Sequence, residues 1–395
     1  MVHHKKRSKR HFDIILLATG LAFSALAFHI AASSLPESLD RAGIFSSPPE
    51  ETSEAIPPKP KHVSTPEAVK AIYMTSWVAS TKDWRESLAQ FIRDTELNSI
   101  IIDVKDYSGH VFFDTEDPLV KSIGSEEIRV PDMKDFVEYL HDSNIYVIAR
   151  ITVFQDPVYA KKFPDEAVQQ KNGKIWKDRK GLSFIDPGSQ DFWKYIVAVA
   201  RSSEKVGFDE LNFDYVRFPS DGDMRNIAFP ISGEKKKPEA LESFFIYLQS
   251  ELRSSGVPIS ADVFGMTTTN TDDLNIGQVL EKIVPYFDYV APMVYPSHYP
   301  AGFHGYKSPA SHPYEVVNFA MAKGVERMVA ASTTPQKLRP WLQDFDLGAD
   351  YTSDMIRAEK KAVYDAGLTS WMIWDPSNKY TKGAYDLTPI GANIQ

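Results

Sequence analysis

The sequence predicts an α/β fold, a single (β/α)8 barrel of the TIM type, on three observations. Eight short apolar segments recur between residues 70 and 376, with amphipathic stretches between them. Most are continuous apolar runs such as Ile100-Ile101-Ile102 and do not alternate, which is the pattern of parallel strands covered on both faces. Several end in an acidic or aromatic residue, as barrel strands do where their C-terminal ends carry chemistry. A doubly wound sheet would advertise a glycine-rich first turn. Here the first strand runs into Thr75-Ser76-Trp77-Val78-Ala79-Ser80, without glycine.

Three regions follow along the chain. Residues 1–32 hold a basic flank, Lys5, Lys6, Arg7, Lys9 and Arg10, and then an uncharged run from Ile14 to Ala32 broken only by the titratable His29. That run is long enough to span a bilayer, and the basic flank orients its N-terminus to the cytoplasm. We read it as a transmembrane signal anchor, the alternative being a signal peptide cleaved near Ala32 or Ser34 with secretion of the rest. Residues 33–66 are rich in Pro, Ser, Glu and Lys, as in Ser46-Ser47-Pro48-Pro49 and Ile56-Pro57-Pro58-Lys59-Pro60, and read as a disordered spacer. Residues 67–395 are the barrel. Its strands are expected at 70–78, 98–105, 145–154, 210–217, 258–264, 288–295, 327–333 and 369–375. Helices are expected at 82–95, 132–143, 190–205, 238–255, 276–284, 312–323 and 353–366. Long loops, 106–130 and 155–189, follow the second and third strands on the C-terminal face.

Composition narrows the function. Beyond residue 12 the chain carries 39 basic against 53 acidic residues, so no nucleic-acid partner is expected, since phosphate neutralisation needs a basic face. Without cysteine there is no thiolate metal site, Cys nucleophile or lipid-modified Cys. Ten histidines show no metal-binding spacing, and no phosphate or dinucleotide fingerprint appears. No metal and no cofactor are expected, and a monomer is.

Strand parity sorts the candidate site residues. Asn212, Asp214 and Val216 share one face of the fourth strand, with Tyr215 and Arg217 on the other. Asp262 shares a face with Ser260 and Phe264 on the fifth. If Asp214 and Asp262 both point inward, two carboxyls meet on adjacent strands, which is what glycoside hydrolysis needs. We assign Asp214 as nucleophile or general base and Asp262 as general acid. Asp106, at the end of the second strand, is an alternative second carboxylate or a sugar ligand. Lys105 shares a face with Asp103, and Arg150 is the expected ion partner of Asp103, because interior charges must be paired. Arg217 either holds Asp214 ionised or bridges loops. Tyr295, Trp374 and Trp77 end strands and would stack on sugar faces.

The motifs Ile101-Ile102-Asp103-Val104-Lys105-Asp106, Val147-Ile148-Ala149-Arg150-Ile151, Phe213-Asp214-Tyr215-Val216-Arg217-Phe218-Pro219, Ser260-Ala261-Asp262-Val263-Phe264-Gly265 and Pro292-Met293-Val294-Tyr295-Pro296 resemble the putative glycosyl hydrolase domain family of bacteria and archaea. That family was long catalogued as a domain of unknown function and is related to α-amylase and α-galactosidase-like barrels. The resemblance covers about residues 68–390. It implies a TIM barrel with the strand-four Asp as nucleophile or base, but no particular substrate. In amylase-like barrels the strand-five acid is usually Glu, where this chain has Asp262. The resulting expectation is a glycoside hydrolase held by its N-terminal helix on the membrane, with its barrel outside the cytoplasm, acting on a cell-envelope or extracellular polysaccharide. The alternative is a non-catalytic carbohydrate-binding or scaffolding barrel. One open cleft shared by both carboxyls favours the enzyme. An Asp214 tied entirely to backbone amides favours the binder.

Overall fold

The computed structural model describes residues 60–388. Eight parallel strands close into one barrel in sequence order: β1 Lys70–Met74, β2 Ser99–Lys105, β3 Tyr146–Thr152, β4 Glu210–Asp214, β5 Ile259–Phe264, β6 Tyr289–Met293, β7 Trp341–Gln343 and β8 Trp371–Trp374. No helix of the described residues is long and apolar enough to cross a membrane. The expected anchor and most of the expected spacer lie outside the described residues.

Strand alternation splits the apolar residues into two layers. Ala71, Tyr73, Ile101, Tyr146, Ile148, Ala291, Trp341 and Met372 form a small inner core. Ile72, Met74, Ile100, Ile102, Val147, Ala149 and their equivalents join the larger outer core beneath the helices. Amphipathic helices supply that cover, among them Lys82–Asp94, Gln190–Val206 and Ser353–Asp365. Gln190–Val206 shows how the sequence sets helix ends. Ser189 caps its first turn through a side-chain bond to Phe192 N–H, and Gly207 ends it in the left-handed region at φ 117°.

One strand assignment is corrected. The apolar run 327–333 is not a strand, because residues through Ala330 continue the helix Pro313–Ala330. Its buried positions, Val316, Val317, Ala320, Met321, Gly324 and Met328, follow the helical spacing of three and four. The true β7 is three residues long and meets β6 through one register pair, Met293 with Trp341. A strand that short, opened by Pro340, offers no apolar run to read.

The N-terminal end of the barrel is sealed. Glu210, at the start of β4, accepts from Arg339 at 2.7 Å and from the Tyr146 hydroxyl at 2.9 Å. Residues 60–66, read as the end of the spacer, lie across this end. Val63 N–H donates to Asp209 Oδ1 at 2.8 Å, and Thr65 meets the Tyr146 hydroxyl at 3.1 Å. Arg339→Met should strand the buried Glu210 charge and cost about 3–5 kcal/mol, measured by urea denaturation. The same midpoint and slope in the variant would show the pair to be energetically silent.

Candidate active site

The interior charges collect at the C-terminal half of the barrel around Arg150. Register sets Asp103 beside Arg150 and Arg150 beside Asn212, with Asp214 one inward step above Asn212. The Arg150 guanidinium bonds Asp103 Oδ1 at 2.6 Å, pairs directly with Asp214 Oδ2, and lies 3.6 Å from Asp262 Oδ2 through Nε. One cation therefore serves three nearly buried carboxyls. Tyr73 donates its hydroxyl to the second oxygen of Asp103. Burial pushes Asp103 up to about 6, although Arg150 and the Tyr73 hydrogen bond pull it down.

Asp262 is the least compensated of the three. Its Oδ1 accepts from Trp341 Nε1 at 2.8 Å and from Asn212 Nδ2 at 2.9 Å. Burial first, and then the neighbouring Asp214 charge, raise it to about 7 against the opposing pull of Arg150. Asp214 pairs with Arg150 and takes a single backbone bond, from Tyr215 N–H at 2.6 Å. It is not tied off by backbone amides.

Above these groups lies a cavity of about 320 Å³, floored by Arg150, Asp214 and Asp262. Tyr295 and Trp374 form one wall, with ring centroids 5.3 Å apart, and Phe345 meets both edge-on. Arg217 lines the same cavity. This departs from strict strand parity, which puts it opposite Asp214. The strand ends at Asp214, and Tyr215 adopts φ 53°, a left-handed backbone unusual for a bulky residue. That turn swings Arg217 onto the side that Asp214 faces.

Three expected site residues are not brought to the cavity. The register shifts between Asp103 and Lys105. Lys105 is fully buried, bonded to Thr152 O at 2.8 Å and to Asp156 at 3.0 Å, with its ammonium against Tyr195 of the outer helix. Asp106 turns back to accept from Ser108 N–H at 2.8 Å and does not line the cavity. Trp77 lies on the short helix Ser76–Ala79, 62% exposed, with its ring 3.9 Å from the Arg129 guanidinium carbon. It does not line the cavity either. The role of holding Asp214, given as one option for Arg217, falls to Arg150. Sequence reasoning missed Trp341, hidden by the misplaced seventh strand, and Tyr299, which lines the cavity from Ser297-His298-Tyr299-Pro300 after β6. An aromatic beyond the top of a strand was the available signal for the latter.

Comparison with known proteins places this geometry. The family described as "Putative glycosyl hydrolase domain" matches residues 71–380. No curated protein sequence matches. The glycoside hydrolase domain of PgaB (BpsB) from Bordetella bronchiseptica is similar in fold, at 14% identity and TM-score 0.59, over 81% of this chain and 99% of that one. So is alpha-L-fucosidase isoenzyme 2 from Paenibacillus thiaminolyticus, at 11% and 0.55, over 80% of this chain and 48% of that one. A hypothetical protein from Ruminiclostridium thermocellum is 33% identical over 49% of this chain and 97% of its own, with TM-score 0.45. The closed barrel and the match over nearly all of it make this chain a member of the "Putative glycosyl hydrolase domain" family.

Proposed function

We propose that this barrel hydrolyses glycosidic bonds in a polysaccharide or oligosaccharide, with Asp214 as nucleophile or general base and Asp262 as general acid. One observation carries the reading. Two inward carboxyls on neighbouring strands line one cavity, and their surroundings differ: Asp214 is salt-bridged, whereas Asp262 is desolvated beside another acid. A sugar seated against Tyr295 and Trp374 would present its glycosidic oxygen to Asp262, which donates its proton as the bond breaks. Asp214 then attacks the anomeric carbon or takes the proton of an attacking water. As Asp262 becomes charged, the Trp341 and Asn212 donors and the Arg150 Nε receive that charge without reorganisation. Lys105, Asp106 and Trp77 have no part in this step.

Screening the protein against a polysaccharide panel with product analysis tests the activity. On any glycan cleaved, Asp214→Asn should lower turnover at least about a thousandfold. The variant should still fold, because Arg150 keeps Asp103 as an ionic partner. A folded Asp214→Asn with near-normal turnover would remove Asp214 from the mechanism.

Asp262 must hold its proton to act, so activity should fall as pH rises through about 7. Asp262→Asn should abolish that limb and slow turnover least on substrates with activated leaving groups. The same group bears on stability. The folded protein holds protons on Asp262 and Asp103 that the unfolded chain releases near pH 4. These two groups therefore make stability decline as pH rises from about 4 to about 7. Asp262→Asn should flatten part of that decline in a melting-temperature series. An unchanged slope would mean that Asp262 titrates normally.

We also propose that the uncharged N-terminal run tethers the barrel outside the cytoplasm, within reach of cell-envelope glycans. The protein should then resist carbonate extraction from membranes. A mature N-terminus near Ala32 or Ser34 would replace the tether by secretion.

A further inference from the structure

Among the ionised groups of the cavity, Arg217 stands apart. It is 8% exposed, and no carboxylate of the described residues lies within ion-pair distance. Three acids, Asp214, Asp221 and Asp178, act on it by charge, and none of them forms an ion pair with it. Asp214 belongs to Arg150, and Asp178 accepts from Lys180 N–H, Leu182 N–H and Gln155. Burying a cation without a counter-ion is costly, so such a group calls for a partner.

Its geometry shows where that partner would sit. Arg217 Nη1 donates to Phe218 O and to Ser220 Oγ, each at 3.1 Å. Nη2 and Nε have no acceptor among the described residues, although the side chain lines the cavity. The guanidinium carbon lies 4.8 Å from the centroids of both Tyr215 and Phe264, so two rings fix the group in place. The pair of donors left over forms a rigid planar fork, the shape that matches a carboxylate with two parallel bonds. A second unused donor lies over the adjoining residue of the same strand end. Tyr299 lines the cavity, and its buried hydroxyl has no partner among the described residues. Only a glycine at 265 leaves it room, since a Cβ there would lie 2.5 Å from the hydroxyl oxygen.

We propose that the cavity takes an anionic sugar, with the carboxylate of a uronic acid residue on the Arg217 fork and Tyr299 donating to a further oxygen of the same residue. This rests on the glycosidase reading and narrows its substrate to acidic glycans. A sulfate or phosphate ester would present the same oxyanion chemistry in another shape.

Equilibrium binding to the full-length protein tests it, read by tryptophan fluorescence, since Trp341 and Trp374 line the cavity. The probes are glucuronate and galacturonate, glucose 6-sulfate and glucose 6-phosphate, and the neutral sugars glucose and galactose. The uronates should bind at least about tenfold more tightly than their neutral counterparts. Arg217→Gln should erase that preference, and Arg217→Lys should restore part of it with a steeper salt dependence. Tyr299→Phe should weaken uronate binding without lowering the melting temperature, because it removes a hydroxyl with no protein partner. Preference for the sulfate or phosphate ester over the uronate overturns the carboxylate assignment. Equal binding of acidic and neutral sugars, or no binding of acidic ones, overturns the proposal whatever the variants do. A uronate preference in a protein that cleaves no glycan would instead refute the glycosidase reading and leave the anion site standing.

Discussion

The C-terminal end of this barrel depends on Arg150 being shared. A guanidinium in a barrel interior needs anions, and three inward carboxyls on neighbouring or next-neighbouring strands supply them. One cation is shared among them, and burial raises the proton affinity of Asp103 and, above all, of Asp262, where the neighbouring Asp214 charge adds to it. A frame of strands that fixes four side chains at alternate positions thereby gathers three carboxyls around one guanidinium. Asp262 is pushed up furthest: it is buried beside Asp214 and meets only Arg150 Nε, at 3.6 Å, whereas Asp214 makes the direct pair with Arg150.

The two ends of the barrel handle buried charge in opposite ways. At the N-terminal end Glu210 and Arg339 match one for one, the Tyr146 hydroxyl occupies a further lone pair, and residues 60–66 close the opening. Among the described residues only Arg339 Nε is left there without an acceptor. At the C-terminal end, among the described residues, there is an acid with too little cation, a cation with no ion-paired acid at Arg217, and a hydroxyl without a partner at Tyr299. Unmatched groups are destabilising in isolation, and those of the cavity are the ones a ligand could satisfy.

Much of this was legible in the sequence, and the failures have physical causes. Continuous apolar runs identified seven of the eight strands because a parallel sheet buried on both faces leaves no polar alternation to confuse them. Parity grouped Asp214 and Asp262 as candidates for one face, and charge pairing suggested Arg150 as the partner of Asp103; the structure brings all four side chains together. Parity failed where the backbone stopped being a strand. The register shift after Asp103 sends Lys105 outward to Asp156, and the left-handed Tyr215 carries Arg217 to the cavity. The seventh strand escaped because three residues beginning with Trp341 carry no periodicity, while the helix before them ends in an apolar run that resembles one. Losing that strand also lost Trp341, one of the two side-chain hydrogen bonds that hold Asp262.

The backbone of Tyr215 links these failures to function. Its left-handed conformation is held from both sides: Val153 N–H donates to Asp214 O at 2.9 Å and Phe154 N–H to Tyr215 O at 3.3 Å, so β3 pins the turn as β4 ends. Asp214 Oδ1 accepts from Tyr215 N–H, which leaves Oδ2 for Arg150. The Tyr215 ring then flanks the Arg217 guanidinium. A single strained residue thus orients the carboxylate before it and stacks on the cation after it. Had β4 continued as a regular strand to Arg217, that side chain would point into the helix layer, and the cavity would hold acids with no second cation.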